Sequence, residues 1–142
     1  MDQTEILLIE DSDDDADLAT RALRRAKVTN KIVRIRDAET ALAYLASANL
    51  EGSFPGIMIL DLGLPGMKGL DFLKRLYSTF QIEPEQTLVV VLSGLDNLRT
   101  LRDSYTLGVD AFLAKPLEQH DIVELLASFP KFWNIDPRPG LM

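Results

Sequence analysis

Short apolar runs alternate with amphipathic segments five times along the chain. The runs are continuously apolar or β-branched, which is typical of strands covered on both faces. The predicted strands are Ile6–Ile9, Ile32–Ile35, Ile57–Leu60, Leu88–Leu92 and Ala111–Ala114. Five such strands, each followed by a helix, predict an α/β fold with one parallel sheet and helices on both faces.

The segments between the runs repeat apolar residues at spacings of three and four, which is the helical period. These stripes are Ala16, Ala19, Leu23 and Ala26; Ala38, Leu42, Leu45 and Ala46; Leu70, Leu73 and Tyr77; Leu98, Leu101 and Tyr105; and Ile122, Leu125, Leu126 and Phe129. Asp37 and Asp96 are expected N-caps. Gly108 is an expected C-terminal stop.

Length and composition indicate one domain with a short tail. The chain has 142 residues, of which 46% are hydrophobic and 26% charged, as in ordinary globular domains. We expect the domain to cover residues 1–132. Residues 133–142 are expected to form an extended or partner-contacting tail, because Pro137, Pro139 and Gly140 disfavour regular structure. The absence of cysteine and the single histidine, His120, exclude disulfides, thiolate metal sites and multi-histidine zinc sites.

The charge distribution narrows the classes of partner. A net charge of −7 argues against direct nucleic-acid binding through the chain as a whole. No apolar run approaches the ~20 residues of a membrane span, and the acidic N-terminus is unlike a signal peptide, so a cytoplasmic location is expected. The basic stretch from Arg21 to Arg36 is interpreted as a solvated helix face and loop; a partner-docking surface is the alternative.

Polar side chains follow four of the five predicted strands. Glu10 and Asp11 follow the first, Asp61 the third, Ser93 the fourth and Lys115 the fifth. In an open parallel sheet, ligands gather at the carboxyl ends of the strands, so these groups are expected to converge. Three carboxylates at close range repel one another unless a cation joins them, and Mg²⁺ prefers such oxygen ligands. A carboxylate beside Mg²⁺ and an ammonium can attack a phosphoryl group.

The same stretches resemble the receiver domain of bacterial response regulators. The resemblance lies in ILLIED ending at Asp11, LDLGLPGMKG ending at Gly69, VVLSG ending at Gly94 and AFLAKP ending at Pro116, and it covers about residues 5–129. It implies a flavodoxin-like sheet in the strand order 2-1-3-4-5. It also implies a phosphoacceptor in a two-component phosphorelay, a signalling protein rather than an enzyme, that is phosphorylated by a sensor histidine kinase.

The resemblance assigns the metal and phosphoryl residues one by one. Asp61 becomes the phosphoacceptor and, with Asp11, a direct Mg²⁺ ligand. Glu10, which replaces the more usual Asp, becomes a ligand through water. The backbone carbonyl of Gly63 becomes a third protein oxygen, and Lys115 bonds to the transferred phosphoryl group.

The resemblance also implies a conformational switch. Ser93 would move toward the phosphoryl group and Phe112 would turn into the vacated space, with a cis Lys115–Pro116 peptide nearby. The surface formed by the predicted fourth helix, the fifth strand and the fifth helix would then bind a partner or form a homodimer. Phe112 stands where Tyr is commoner, so no hydroxyl is available to hydrogen-bond when the ring turns inward.

Two positions are expected to control the lifetime of the phosphoryl group. By the resemblance, Gly63 and Leu95 stand where side chains orient the hydrolytic water. Neither offers a hydrogen bond to that water, so slow dephosphorylation over minutes to hours is expected; the alternative is that Gly63 opens the site and hastens loss.

A subtype is indicated by the acidic run from Glu10 to Asp15 together with Phe132 and Trp133. These features resemble single-domain regulators that partner phytochrome histidine kinases, which implies a kinase of that type. Phe132 and Trp133 are interpreted as closing the base of the last helix against the core; a dimer contact is the alternative.

The main alternative function is a Mg²⁺-dependent phosphohydrolase of the haloacid dehalogenase type, which also uses a strand-end Asp nucleophile. That family needs a second Asp two residues after the first, and Gly63 holds the position here. A serine hydrolase fails because Val91 and Leu95 replace the flanking glycines of G-x-S-x-G.

Overall fold

The predicted sheet is present in a computed structural model, which describes residues 4–63, 69–94, 103 and 105–136. Five parallel strands lie in the order β2-β1-β3-β4-β5, which confirms the predicted topology. The strands are β1 (Ile6–Ile9), β2 (Ile32–Ile35), β3 (Ile57–Asp61), β4 (Leu88–Ser93) and β5 (Ala111–Ala114).

Strands β3 and β4 each end one residue later than predicted, so Asp61 and Ser93 lie inside the sheet. Asp61 pairs with Leu92, and Ser93 pairs with Ala114. The backbone ladder continues past both polar residues, because the amide of Lys115 still donates to the Ser93 carbonyl at 2.9 Å. A polar side chain therefore does not end a strand, and both side chains are held by sheet backbone rather than by a loop.

In the described part of the chain, four longer helices surround the sheet. They are α1 (Asp13–Arg25), α2 (Ala38–Glu51), α3 (Gly69–Thr79) and α4 (Gln119–Ser128). The carboxylate of Asp37 accepts the Thr40 amide at 2.7 Å, which confirms the predicted N-cap of α2. None of the described helices combines the length and apolarity that a membrane crossing requires.

Most of the predicted fourth helix, with Leu98, Leu101 and the expected cap Asp96, lies outside the described residues. Residues 105–107 are helical, and Gly108 follows them with a φ of +115°, a conformation that favours glycine. The fifth predicted helix is accordingly α4 in this numbering.

Both faces of the sheet are covered, which explains the continuously apolar strands. Helices α1 and α4 pack on one face, where Leu23 and Ile122 are fully buried. Helices α2 and α3 pack on the other face, where Leu45 and Leu73 are fully buried. Alternate residues of each central strand point to opposite layers and are buried in both, as expected for parallel sheets.

The chain continues to pack beyond residue 132, where the domain was expected to end. Phe132 and Trp133 are buried in the layer that holds α1 and α4, as the interpretation that they close the core requires. Ile135 forms an antiparallel bridge with Val28. Residues 133–136 are therefore fastened to the domain, and residues 137–142 lie outside the described part of the chain.

Asn30 fastens this segment to the amino end of the sheet. Its side-chain amide donates to the carbonyls of Thr4 at 2.7 Å and Phe132 at 3.1 Å. Its carbonyl oxygen accepts the amide of Asn134 at 2.6 Å. Asn30 is fully buried, and its side chain links residues that are far apart in sequence.

Candidate functional site

Three carboxylates meet at the carboxyl edge of the sheet. Glu10, Asp11 and Asp61 each offer an oxygen within 4.8 Å of the others. Strands β1 and β3 are neighbours in register, so residues that follow or end them share one edge. Glu10 is 1% exposed and Asp61 5% exposed, whereas Asp11 faces solvent. The expected convergence of the acidic residues is therefore present.

Lys115 also reaches this cluster, from the end of β5. Its Nζ lies 3.0 Å from Asp61 Oδ2 and 3.1 Å from Glu10 Oε1. The Lys115–Pro116 peptide is cis, as the resemblance implied. The ammonium is placed where it can neutralise charge next to the Asp61 carboxylate.

A fourth carboxylate, that of Asp15, was not predicted at this site. Asp15 Oδ2 lies 2.8 Å from Lys115 Nζ. Asp15 is in the first turn of α1, and its amide donates to the capping hydroxyl of Ser12 at 3.2 Å. Asp15 does not directly follow a strand, so its distance from the strand ends does not predict it at the site. The sequence feature that could have indicated it is the capping residue Ser12, because this cap starts the first turn of α1 at this edge of the sheet.

The charges at the site are unbalanced. The pKa of Glu10 is raised to about 7, chiefly by burial and to a smaller extent by the nearby Asp61, while the Ser12 amide and Lys115 act to lower it. Burial lowers the pKa of Lys115, but its bonds to Asp15, Asp61 and Glu10 outweigh this effect and the pKa is raised. One ammonium serves several acidic groups, so the cluster retains negative charge that a hard divalent cation would neutralise. The donor set thus fits Mg²⁺.

Both oxygens of Asp61 already have a donor. The amide of Gly63 donates to Oδ1 at 2.9 Å, and Lys115 donates to Oδ2 at 3.0 Å. These bonds fix the orientation of the Asp61 carboxylate. Gly63 is exposed and has no side chain, so it adds no bulk beside that carboxylate.

The start of α3 lies unusually close to this segment. A Cβ at Gly69 would stand 2.6 Å from the Leu62 carbonyl oxygen, too close for any other residue without a shift of the backbone. The amide of Gly69 donates to that same carbonyl at 3.2 Å. Gly69 therefore allows α3 to begin against the residue that follows Asp61.

The site opens into a cleft with a volume of about 810 Å³. Asp11, Asp61, Ser93 and Lys115 line it, together with Gly63. Ser93 is half-buried at the end of β4, and Leu95 lies outside the described residues.

Phe112 is half-buried on β5 opposite Val91, packed against the layer that holds α2 and α3. His120 is exposed at the start of α4, as expected for a surface histidine.

One residue of the basic stretch, the half-buried Arg34, contacts the backbone of the site. Arg34 Nε donates to the Glu10 carbonyl at 2.8 Å, and its Nη1 lies 2.8 Å from Asp13 Oδ1. Arg36 contacts the same carboxylate at 2.7 Å. The interpretation of a solvated face is therefore wrong for Arg34, because the side chain crosses from β2 to hold the segment between β1 and α1.

Residues 6–127 match the family described as the response regulator receiver domain. The probable methanogenesis regulatory protein FilR2 of Methanothrix harundinacea is 33% identical, over 95% of this chain and 88% of its own. Response regulator Rcp1 of Synechocystis is 28% identical, over 90% of this chain and 87% of its own.

Two solved structures support the same relationship. The bacteriophytochrome response regulator AtBRR is 31% identical, with a TM-score of 0.78 over 97% of this chain and all of its own (100%). The Mn²⁺-bound form of Rcp1 has a TM-score of 0.67 over 91% of this chain and 93% of its own. These comparisons give no support to a hydrolase of the haloacid dehalogenase type.

Proposed function

The chain belongs to the response regulator receiver domain family of two-component systems, and from this premise we propose that Asp61 accepts a phosphoryl group in a Mg²⁺-dependent reaction. The donor is a sensor histidine kinase. The observation that carries the proposal is the cluster of the buried Glu10 and Asp61 with the exposed Asp11, and the Lys115 ammonium against it.

The transfer needs little covalent chemistry from the protein. A carboxylate oxygen of Asp61 attacks the phosphorus of phosphohistidine, forming a P–O bond while the P–N bond breaks. The imidazole nitrogen keeps the electron pair of the broken P–N bond. The histidine side chain leaves as neutral imidazole, with a proton on its other ring nitrogen. The Lys115 ammonium neutralises charge on the transferred oxygens, which is where most of the catalysis of such transfers lies.

The acidic residues divide the work of holding the cation. Asp11, Asp61 and the Gly63 carbonyl would hold Mg²⁺ directly, and Glu10 would hold it through water. When bound, Mg²⁺ supplies positive charge to the phosphoryl oxygens. The Mn²⁺-bound form of Rcp1 supports a divalent-cation site in a relative that is covered over 93% of its length.

The kinase is of the phytochrome type in this proposal. AtBRR is described as a bacteriophytochrome response regulator and is covered along its whole length, which supports a shared kind of donor. The test compares rates of phosphoryl transfer. A phytochrome-type kinase is expected to phosphorylate this protein faster than a histidine kinase of another class does.

Phosphorylation also changes a surface in this proposal. Ser93 moves toward the phosphoryl group and Phe112 turns inward, which alters the face formed by β5, α4 and the segment before Gly108. Phe112 needs no hydrogen-bond partner when buried, so its inward turn desolvates no hydroxyl. Sedimentation with and without fluoroberyllate tests this. Self-association or partner affinity is expected to differ between the two conditions, and the proposal is contradicted if neither differs.

The phosphoacceptor is tested with acetyl phosphate and a phosphate-affinity gel. Wild type and Asp110→Asn are expected to shift in Mg²⁺ and not in EDTA, while Asp61→Asn shows no shift. Asp110 is the matched control because it is a half-buried acid near the opposite edge of the sheet, where its carboxylate accepts the Val89 amide at 2.8 Å. Labelling of Asp61→Asn at the wild-type level contradicts the assignment.

A further inference from the structure

Among the three carboxylates around Lys115, Asp15 makes the shortest ion pair, and it is neither the phosphoacceptor nor a proposed metal ligand. Its Oδ2 lies 2.8 Å from Lys115 Nζ, against 3.0 Å for Asp61 and 3.1 Å for Glu10. Its side chain is 38% exposed, so it reaches the ammonium from the solvent side.

We propose that Asp15 is a positioning residue for phosphorylation, which holds the Lys115 ammonium beside Asp61 when a cation occupies the other carboxylates. The inference rests on the proposed function of Asp61 and adds a residue to it.

A lysine ammonium has three N–H donors, and three carboxylates surround that of Lys115. Glu10 and Asp61 belong to the group whose oxygens lie close enough to share a cation, and Asp15 does not belong to it. With a cation bound there, the oxygens of Glu10 and Asp61 would be committed to it. Asp15 then remains as the carboxylate that keeps Lys115 in place.

The position of Asp15 is fixed by a helix rather than a loop. It lies in the first turn of α1, whose N-cap is Ser12. The Ser12 hydroxyl accepts the amide of Asp15 itself. A lysine side chain has many rotamers in water, and a fixed carboxylate selects those in which the ammonium points at Asp61. The phosphoryl group can then receive one N–H while another stays on Asp15.

The neighbouring acids allow this role to be separated from net charge. Asp14 lies in the same helical turn and is exposed, so Asp14→Ala removes the same charge without touching Lys115. Asp13 is unsuitable as a control because it contacts Arg34 and Arg36.

The experiment compares wild type, Asp15→Ala, Asp15→Glu and Asp14→Ala, each also with Lys115→Ala. The rate of phosphorylation by acetyl phosphate is measured against Mg²⁺ concentration, and fluoroberyllate affinity is measured by calorimetry. Asp15→Ala is expected to lower the rate at saturating Mg²⁺ and the fluoroberyllate affinity by about three- to tenfold relative to Asp14→Ala. The Mg²⁺ concentration at half-saturation should match that of Asp14→Ala.

Two further results distinguish positioning from a merely structural effect. Asp15→Glu should recover most of the rate, and Asp15→Ala should have no further effect once Lys115→Ala is present. Equal rates and affinities for Asp15→Ala and Asp14→Ala, or full additivity with Lys115→Ala, overturn the inference. Labelling of Asp61→Asn instead overturns the proposed function. If Asp15→Ala does not unfold cooperatively in urea, Asp15→Asn takes its place with Asp14→Asn as control.

Discussion

The two ends of the sheet bury polar groups in opposite ways. At the amino end, the buried Asn30 is neutral, and its amide and carbonyl bond to Thr4, Phe132 and Asn134. At the carboxyl end, Glu10 and Asp61 are buried as acids, and burial, with a smaller effect of the nearby Asp61 carboxylate, raises the pKa of Glu10 to about 7.

This difference separates a structural polar cluster from a functional one. A buried neutral group with its hydrogen bonds made stabilises the fold, whereas buried like charges cost stability unless something binds them. Clusters of perturbed acids at a strand edge are typical of functional sites for this reason. Removing a polar side chain should therefore destabilise the amino end, and neutralising one should stabilise the carboxyl end.

The largest expected effect is on the amino end. Asn30→Leu leaves the carbonyls of Thr4 and Phe132 and the amide of Asn134 without their partner. We expect the free energy of unfolding to fall by about 2–4 kcal/mol in urea titrations. Asn49→Leu, at an exposed position on α2, is the control and should change it little. A loss of stability for Asn30→Leu that is no larger than the control's would contradict the claim that the Asn30 side chain stabilises the amino end of the sheet.

Neutralising Glu10 should have the opposite sign. Its pKa in the folded protein, about 7, is above the ordinary 4.5, so between these values the folded state binds more protons than the unfolded state. The associated stability is present below about pH 4.5 and is lost as the pH rises to about 7. Glu10→Gln should therefore raise the free energy of unfolding by about 1–3 kcal/mol above pH 7 in EDTA.

The control for this measurement is Glu85→Gln, which changes an exposed acid. At about pH 4 the gain from Glu10→Gln should disappear, because wild-type Glu10 is then protonated in both states. Mg²⁺ should stabilise wild type more than Glu10→Gln. A loss of stability for Glu10→Gln at about pH 8 contradicts the claim of excess negative charge.

The smallest effect concerns the lifetime of the phosphoryl group. Gly63→Asn with Leu95→Glu introduces polar groups that orient the attacking water, and such groups contribute to general acid–base catalysis. We expect loss of the phosphoryl group to accelerate by about tenfold. Decay of labelled protein after removal of the donor measures it. A wild-type half-life of seconds, or an unchanged rate in the double variant, shows that these positions do not control the lifetime.

The sheet was predictable because each strand is a short apolar run whose period and flanking residues are local. The same locality placed Glu10, Asp11, Asp61, Ser93 and Lys115 at one edge. The strand ends were wrong by one residue at Asp61 and Ser93, because backbone pairing with a neighbouring strand decides where a ladder stops.

The contacts of Asp15 and Arg34 were not predictable in the same way. Asp15 and Lys115 are far apart in the sequence but form an ion pair, and Arg34 reaches from β2 to the Glu10 carbonyl. The Asp15 contact depends on how α1 packs against the sheet, and the Arg34 contact depends on the pairing of β1 with β2. The burial of Trp133 likewise depends on pairing between residues 27–30 and 134–136.

The most direct test of the central claim is the location of the phosphoryl group. Protein treated with acetyl phosphate and Mg²⁺ is reduced with borohydride, which converts an aspartyl phosphate to a stable alcohol, and is then digested with trypsin. The peptide covering residues 37–68 should carry the alcohol at position 61, and the EDTA-treated sample should not carry it. The modification at another acid, or at Asp61 to the same extent without Mg²⁺, would contradict the claim that this edge is a metal-dependent phosphoacceptor site.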